Sequence, residues 1–84
     1  STPMMARLKD VTEELKRSNF KAVVLISRKS KIFIAGADIE EIKRINSKEE
    51  FSRVLVQAHE IFNALEDLPL VTVAAIHGAC LGGG

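Results

Sequence analysis

The chain has 84 residues, 46% of them hydrophobic, which suits one small domain or a piece of a larger one and excludes two independent cores. Twelve Lys plus Arg against eleven Asp plus Glu leave a net charge of +1, which argues against a dedicated nucleic-acid arm or an acidic disordered tail. The single Cys80 excludes a disulfide scaffold, and the longest apolar runs fall far short of a membrane span. The first residues, Ser1 to Met5, lack the basic and apolar regions of a signal peptide. The expectation is a soluble protein of a reducing compartment: the cytoplasm, or the mitochondrial matrix if the source is eukaryotic.

Thr2-Pro3 reads as a helix start, with Thr2 as cap and Pro3 at the first helical position. Met4, Leu8, Val11 and Leu15 then fall on one helical face, and Ser18-Asn19 ends the pattern. Val23 to Ile26 is a short β-branched run that predicts a strand buried on both faces. A loop from Ser27 to Lys31 carries Arg28, Lys29 and Lys31, and Ile32-Phe33-Ile34 follows as a second strand. Asp38 is placed to cap a helix with Ile39, Ile42 and Ile45 as apolar positions, and Glu41 completes a capping-box pattern. Ser47 with Glu50 repeats it. The next helix has the clearest period in the chain: Phe51, Val54, Leu55, Ala58, Phe62, Leu65 and Leu68 share one broad face, and Pro69 ends it. Leu70 to Ile76 predicts another buried strand.

This order favours an α/β fold, a parallel sheet with crossover helices. So few strands leave long unpaired edges, and a folded domain seldom stops on Gly82-Gly83-Gly84, so truncation at the C-terminus is expected. No internal repeat or low-complexity linker is visible.

All five glycines fall in two places: Gly36, and the cluster Gly78, Gly82, Gly83 and Gly84. Each place follows a predicted strand. A strand running into a glycine turn leaves backbone N–H groups free to face a ligand. Two such turns from neighbouring strands can aim two donors at one oxygen, the construction of an oxyanion hole. The rival reading is two ordinary turns. Nucleotide motifs fail: G-x-G-x-x-G begun at Gly78 meets Cys80 where glycine is needed, and a P-loop begun there meets Gly84 where it needs Lys.

Phe33-Ile34-Ala35-Gly36-Ala37-Asp38-Ile39 together with Ala75-Ile76-His77-Gly78-Ala79-Cys80-Leu81-Gly82-Gly83-Gly84 resembles the crotonase superfamily, in its enoyl-CoA hydratase/isomerase branch. The nearest likeness is to hydratase domains of fatty-acid oxidation, and it covers essentially the whole chain. The resemblance implies that residues 1–84 are a partial domain with an incomplete crotonase-like core, truncated at both ends. It implies an acyl-CoA substrate whose thioester carbonyl sits between the backbone amides of Ala37 and Gly83. It places Ala35, Gly36, Ala37, Asp38 and Ile39 around the adenine of coenzyme A, which is part of the substrate, so no separate cofactor is implied. Some members of the family carry a basic residue directly after the Ile39 position, where this chain has Glu40. The hydratases of the family place a catalytic Glu two positions beyond the three glycines, and a second further on. Glu40, Glu41, Glu60 and Glu66 match neither place.

The implied function is therefore that of a hydratase fragment acting on 2-enoyl-CoA in fatty-acid β-oxidation, supplying the oxyanion hole and inactive alone. The rivals are a non-catalytic acyl-CoA binder or assembly fragment, and an isomerase, hydrolase or decarboxylase built on the same scaffold. Self-association is expected from the open edges and helix faces. His77 reads as a turn histidine with a local hydrogen bond, His59 as a surface or boundary residue, and Cys80 as a small buried hydrophobe. A metal at Asp38, Glu40 and Glu41 competes with the cap, which accounts for Asp38 fully. Arg28, Lys29 and Lys31 read as a solvated loop, with a CoA phosphate as the alternative partner.

Overall fold

A computed structural model describes residues 2–84. Helix α1 spans Thr2–Lys16, so the expected Thr2 cap falls on residues outside those described in full. Met5, Leu8, Val11 and Leu15 turn inward, while Met4, expected on that face, is 65% exposed. Thr12 is the most buried residue of the helix, and its hydroxyl donates to the Leu8 carbonyl at 2.7 Å, which satisfies it locally. Ser18 closes the helix: its N–H and its hydroxyl both donate to the Leu15 carbonyl.

Strand β1 (Ala22–Leu25) pairs in parallel with β3 (Val71–Ala74), Ala22 opposite Val71 and Leu25 opposite Ala74. Strand β2 (Ile32–Ile34) pairs in parallel with β4 (Ala79–Cys80), a two-residue strand inside the segment read as a glycine turn. One continuous sheet is thus replaced by two parallel pairs. Both arms break at the same level: the Ala75 N–H donates to the Leu25 carbonyl at the end of the first pair, and the Ala79 N–H to the Lys31 carbonyl at the start of the second. In the β2–β4 pair Ile32 faces Ala79 and Ile34 faces Cys80, so Phe33 is an extra residue on its strand. Such a bulge re-aims a side chain. Phe33, at 6% exposure, is one of only two buried apolar residues among those described; Leu68 is the other.

Helix α2 (Ile39–Lys43) stops before Ile45, and α3 (Lys48–Glu66) ends with Asp67 as cap, ahead of Pro69. Helix α1 packs along α3, and Leu8, Phe62 and Leu65 of the two helices line a hollow together with Leu25, Phe33 and Val73 of the strands. Ala58, Ile61 and Leu65 of α3 turn inward, but Phe51, Val54, Leu55 and Phe62 stay exposed. The strands expected to be buried on both faces are not: Val24, Ile26, Val71, Val73 and Ile76 are all exposed. The reason is strand count. Each strand has a single neighbour, so every strand keeps an open edge, and all four residues of β3 stay exposed. The radius of gyration is 14.1 Å, against about 12 Å for a compact chain of this length. The molecule is a slab whose shortest extent is 16 Å.

Candidate functional site

The two glycine turns meet. Strand β2 runs out through Ala35 into Gly36, whose φ of +104° lies where side chains are strained. Strand β4 runs out through Leu81 into Gly82, with φ +57°. The Gly84 N–H donates to the Leu81 carbonyl at 3.0 Å, closing a four-residue turn with positive φ at its first central position only, as in a type II′ turn. The Leu81 N–H donates to the Ile34 carbonyl at 2.9 Å, which carries the parallel pairing to the foot of both turns. A methyl group on Gly82 would stand 3.4 Å from the Gly36 Cα and 4.0 Å from the Ala37 nitrogen. The backbone of one turn therefore rests on the backbone of the other.

The amides of Ala37 and Gly83 donate no hydrogen bond within the described residues, and both residues are exposed. Sequence periodicity alone would not bring them near each other, since 46 positions separate residues 37 and 83. Their surroundings differ. Gly83 lies on the rim of an apolar hollow of about 370 Å³ between the helices and the strands, shared with Leu8, Phe33, Phe62, Leu65 and Val73. Ala37 does not line that hollow, and its nitrogen would lie 4.0 Å from a methyl group on Gly82. Glu66, which the sequence did not single out as a site residue, lines the same hollow.

Asp38 has the extended conformation of a cap, φ −72° and ψ 112°, and its carboxylate accepts the Glu40 N–H at 3.0 Å. Glu40 and Glu41 occupy the first turn, and Glu40 approaches Lys43 at 3.9 Å on the surface. The carboxylate of Asp38 thus serves the helix end, and no group of three His, Cys, Asp or Glu among the described residues is placed to hold a metal ion. Ala35, Asp38 and Ile39 are exposed and Gly36 is half-buried. Ser47 caps α3 by accepting the Glu50 N–H at 3.0 Å; the Glu50 carboxylate reaches Asn46 at 3.5 Å, one residue before the reciprocal position of a capping box.

His77 is exposed but engaged. Its Nε2–H donates to the Lys29 carbonyl, far from it in sequence, and its ring stands edge-on to Phe33 with centroids 6.3 Å apart. Cys80 is half-buried on β4 rather than fully buried, because β4 has one neighbour strand. Arg28, Lys29, Lys31 and His59 are exposed. No helix of the described residues is long and apolar enough to cross a membrane.

Comparison with known proteins agrees with the paired motifs. The family model for enoyl-CoA hydratase/isomerase matches residues 1–84. The chain is 44% identical over 78 residues to the fatty acid oxidation complex subunit alpha of Shewanella halifaxensis, covering 92% of this chain and 11% of that protein. It is 45% identical over 75 residues to the same subunit of Shewanella amazonensis, covering 88% of this chain and 11% of that one. The chain thus spans about 11% of the length of these curated relatives. No solved structure matches it. Two parallel strand pairs with flanking helices are consistent with part of a crotonase fold. The chain belongs to the enoyl-CoA hydratase/isomerase family.

Proposed function

We propose that this segment supplies the oxyanion hole of an enoyl-CoA hydratase that adds water to 2-enoyl-CoA in fatty-acid β-oxidation. The backbone amides of Ala37 and Gly83 hold the thioester oxygen, and residues 35–39 form the edge that receives the adenine end of coenzyme A. The observation that carries this reading is the contact of the Gly36 and Gly82 turns, with two amides beside it that have no partner among the described residues. Negative charge builds on the thioester oxygen as water adds to the β-carbon, and fixed N–H dipoles stabilise it without reorganising. Two donors polarise a carbonyl; they do not position water or deliver a proton to the α-carbon. The 84-residue chain alone is therefore expected to be inactive, with the acid–base groups supplied by the protein that contains it. The relatives' printed name, a fatty acid oxidation complex subunit, supports the pathway. The unpaired thiol of Cys80 suits a cytoplasmic or mitochondrial-matrix setting.

The test is loss of 2-enoyl-CoA absorbance with the full-length protein carrying this segment, beside the segment alone. Turnover by the full-length protein and none by the segment is the expected result. Conversion of a 3-enoyl-CoA without hydration would reassign the reaction to an isomerase. Equal turnover by both would overturn the division of labour.

A further inference from the structure

Strands β2 and β4 are three and two residues long, and the pairing carries an irregularity at Phe33. So short a ladder has little with which to hold its register, and a slip of one residue would exchange its faces. Contacts outside the ladder supply what it lacks. The His77 ring donates through Nε2–H to the Lys29 carbonyl on the approach to β2, and its edge-on contact with Phe33 reaches the bulge itself. The loop that offers this carbonyl is held in turn: the Ser27 hydroxyl accepts the Lys29 N–H at 3.2 Å and donates to the Ile32 carbonyl at 3.3 Å. Gly78, next to His77, lets the two backbones close until a methyl group on it would overlap the Lys31 carbonyl oxygen. The grip sits at the start of both short strands, and Ala37 and Gly83 lie just beyond their ends.

We propose that His77 is the positioning residue that sets the register of β2 against β4, and through it the placement of the Ala37 and Gly83 amides. It acts by holding the Lys29 carbonyl while its ring packs on Phe33. The catalytic consequence, though not the register itself, rests on the oxyanion reading of those amides. His77 does not touch substrate in this role.

Three forms of the full-length protein test it: wild type, His77→Phe, which keeps a ring and removes the donor, and His77→Gln, which keeps a donor. Hydrogen exchange reads the Ala79 and Leu81 amides, which bond to Lys31 and Ile34 across the β2–β4 pair, against the Val71 and Ala75 amides of the β1–β3 pair. In His77→Phe, exchange at Ala79 and Leu81 should quicken about tenfold or more, with Val71 and Ala75 within about twofold of wild type. Turnover of a four-carbon 2-enoyl-CoA should fall in kcat with KM little changed, and His77→Gln should recover most of both. Unchanged exchange at Ala79 and Leu81, equal quickening in both pairs, or failure of Gln to recover it would overturn the proposal. Local quickening with kcat intact would overturn its catalytic half. A wild type without turnover would refute the hydratase reading alone, since the exchange arm still decides the role of His77.

Discussion

Gly82 stands against Gly36: a methyl group on the first would lie 3.4 Å from the Cα of the second. That distance is ordinary van der Waals contact, so space alone does not demand glycine at these positions. Conformation does, because both residues hold positive φ. At Gly78 the demand is reversed, with no positive φ but no room beside the Lys31 carbonyl. Gly83 faces neither limit, since a methyl group there would meet only the Phe62 ring at 3.7 Å.

The three positions should therefore respond differently to alanine. Gly82→Ala should cost about 1–2 kcal/mol for the left-handed backbone. Gly78→Ala should cost about 1–3 kcal/mol or more, because backbone cannot move aside as a side chain can. Gly83→Ala should be nearly neutral in stability. Urea unfolding of the three variants in the full-length protein checks this ranking, and a Gly83→Ala loss as large as that of Gly78→Ala would contradict it.

Asp38→Ala should lower stability by about 0.5–2 kcal/mol through loss of the α2 cap, and Asp38→Asn should retain most of it. Ser47→Ala should act similarly on α3. Thermal or urea denaturation measures both. A loss at Asp38 that appears only when a divalent ion is added would favour a metal role over the cap.

The 84-residue chain should self-associate in solution. It exposes 6841 Å², against roughly 4,900 Å² for a compact monomer of its mass. Much of the excess is apolar, including Val24, Val71 and Val73 on the sheet and Phe51, Val54 and Leu55 on α3. Sedimentation velocity over a concentration series should show species larger than a monomer. A monomer persisting to high concentration would refute it.

Ala37→Pro removes one amide donor from the proposed oxyanion hole. In the full-length protein it should cost about 2.7–4 kcal/mol of transition-state stabilisation, or about 100- to 1,000-fold in kcat. Binding of a non-reactive acyl-CoA, measured by calorimetry, should change far less and so separates loss of the donor from collapse of the turn. Full activity in Ala37→Pro would remove Ala37 from the oxyanion hole.

Local chemistry made much of this molecule legible in its sequence. The caps at Asp38 and Ser47, the stop before Pro69, the helical segments of α1 and α3, and the strand segments all follow from interactions spanning a few residues. The two motifs, read together, pointed to the family. Burial was not legible, because apolar runs such as Val71–Ala74 state a capacity to be covered, and coverage depends on how many layers are present. Strand β4 was hidden because Ala79 and Cys80 pair only through β2, far away in sequence. The engagement of His77 with Lys29 and Phe33, and the seating of Gly82 on Gly36, likewise came from tertiary structure alone. Contacts between residues more than 40 positions apart have no local period to announce them. Parallel pairing brings them together only after an intervening helical crossover has folded back.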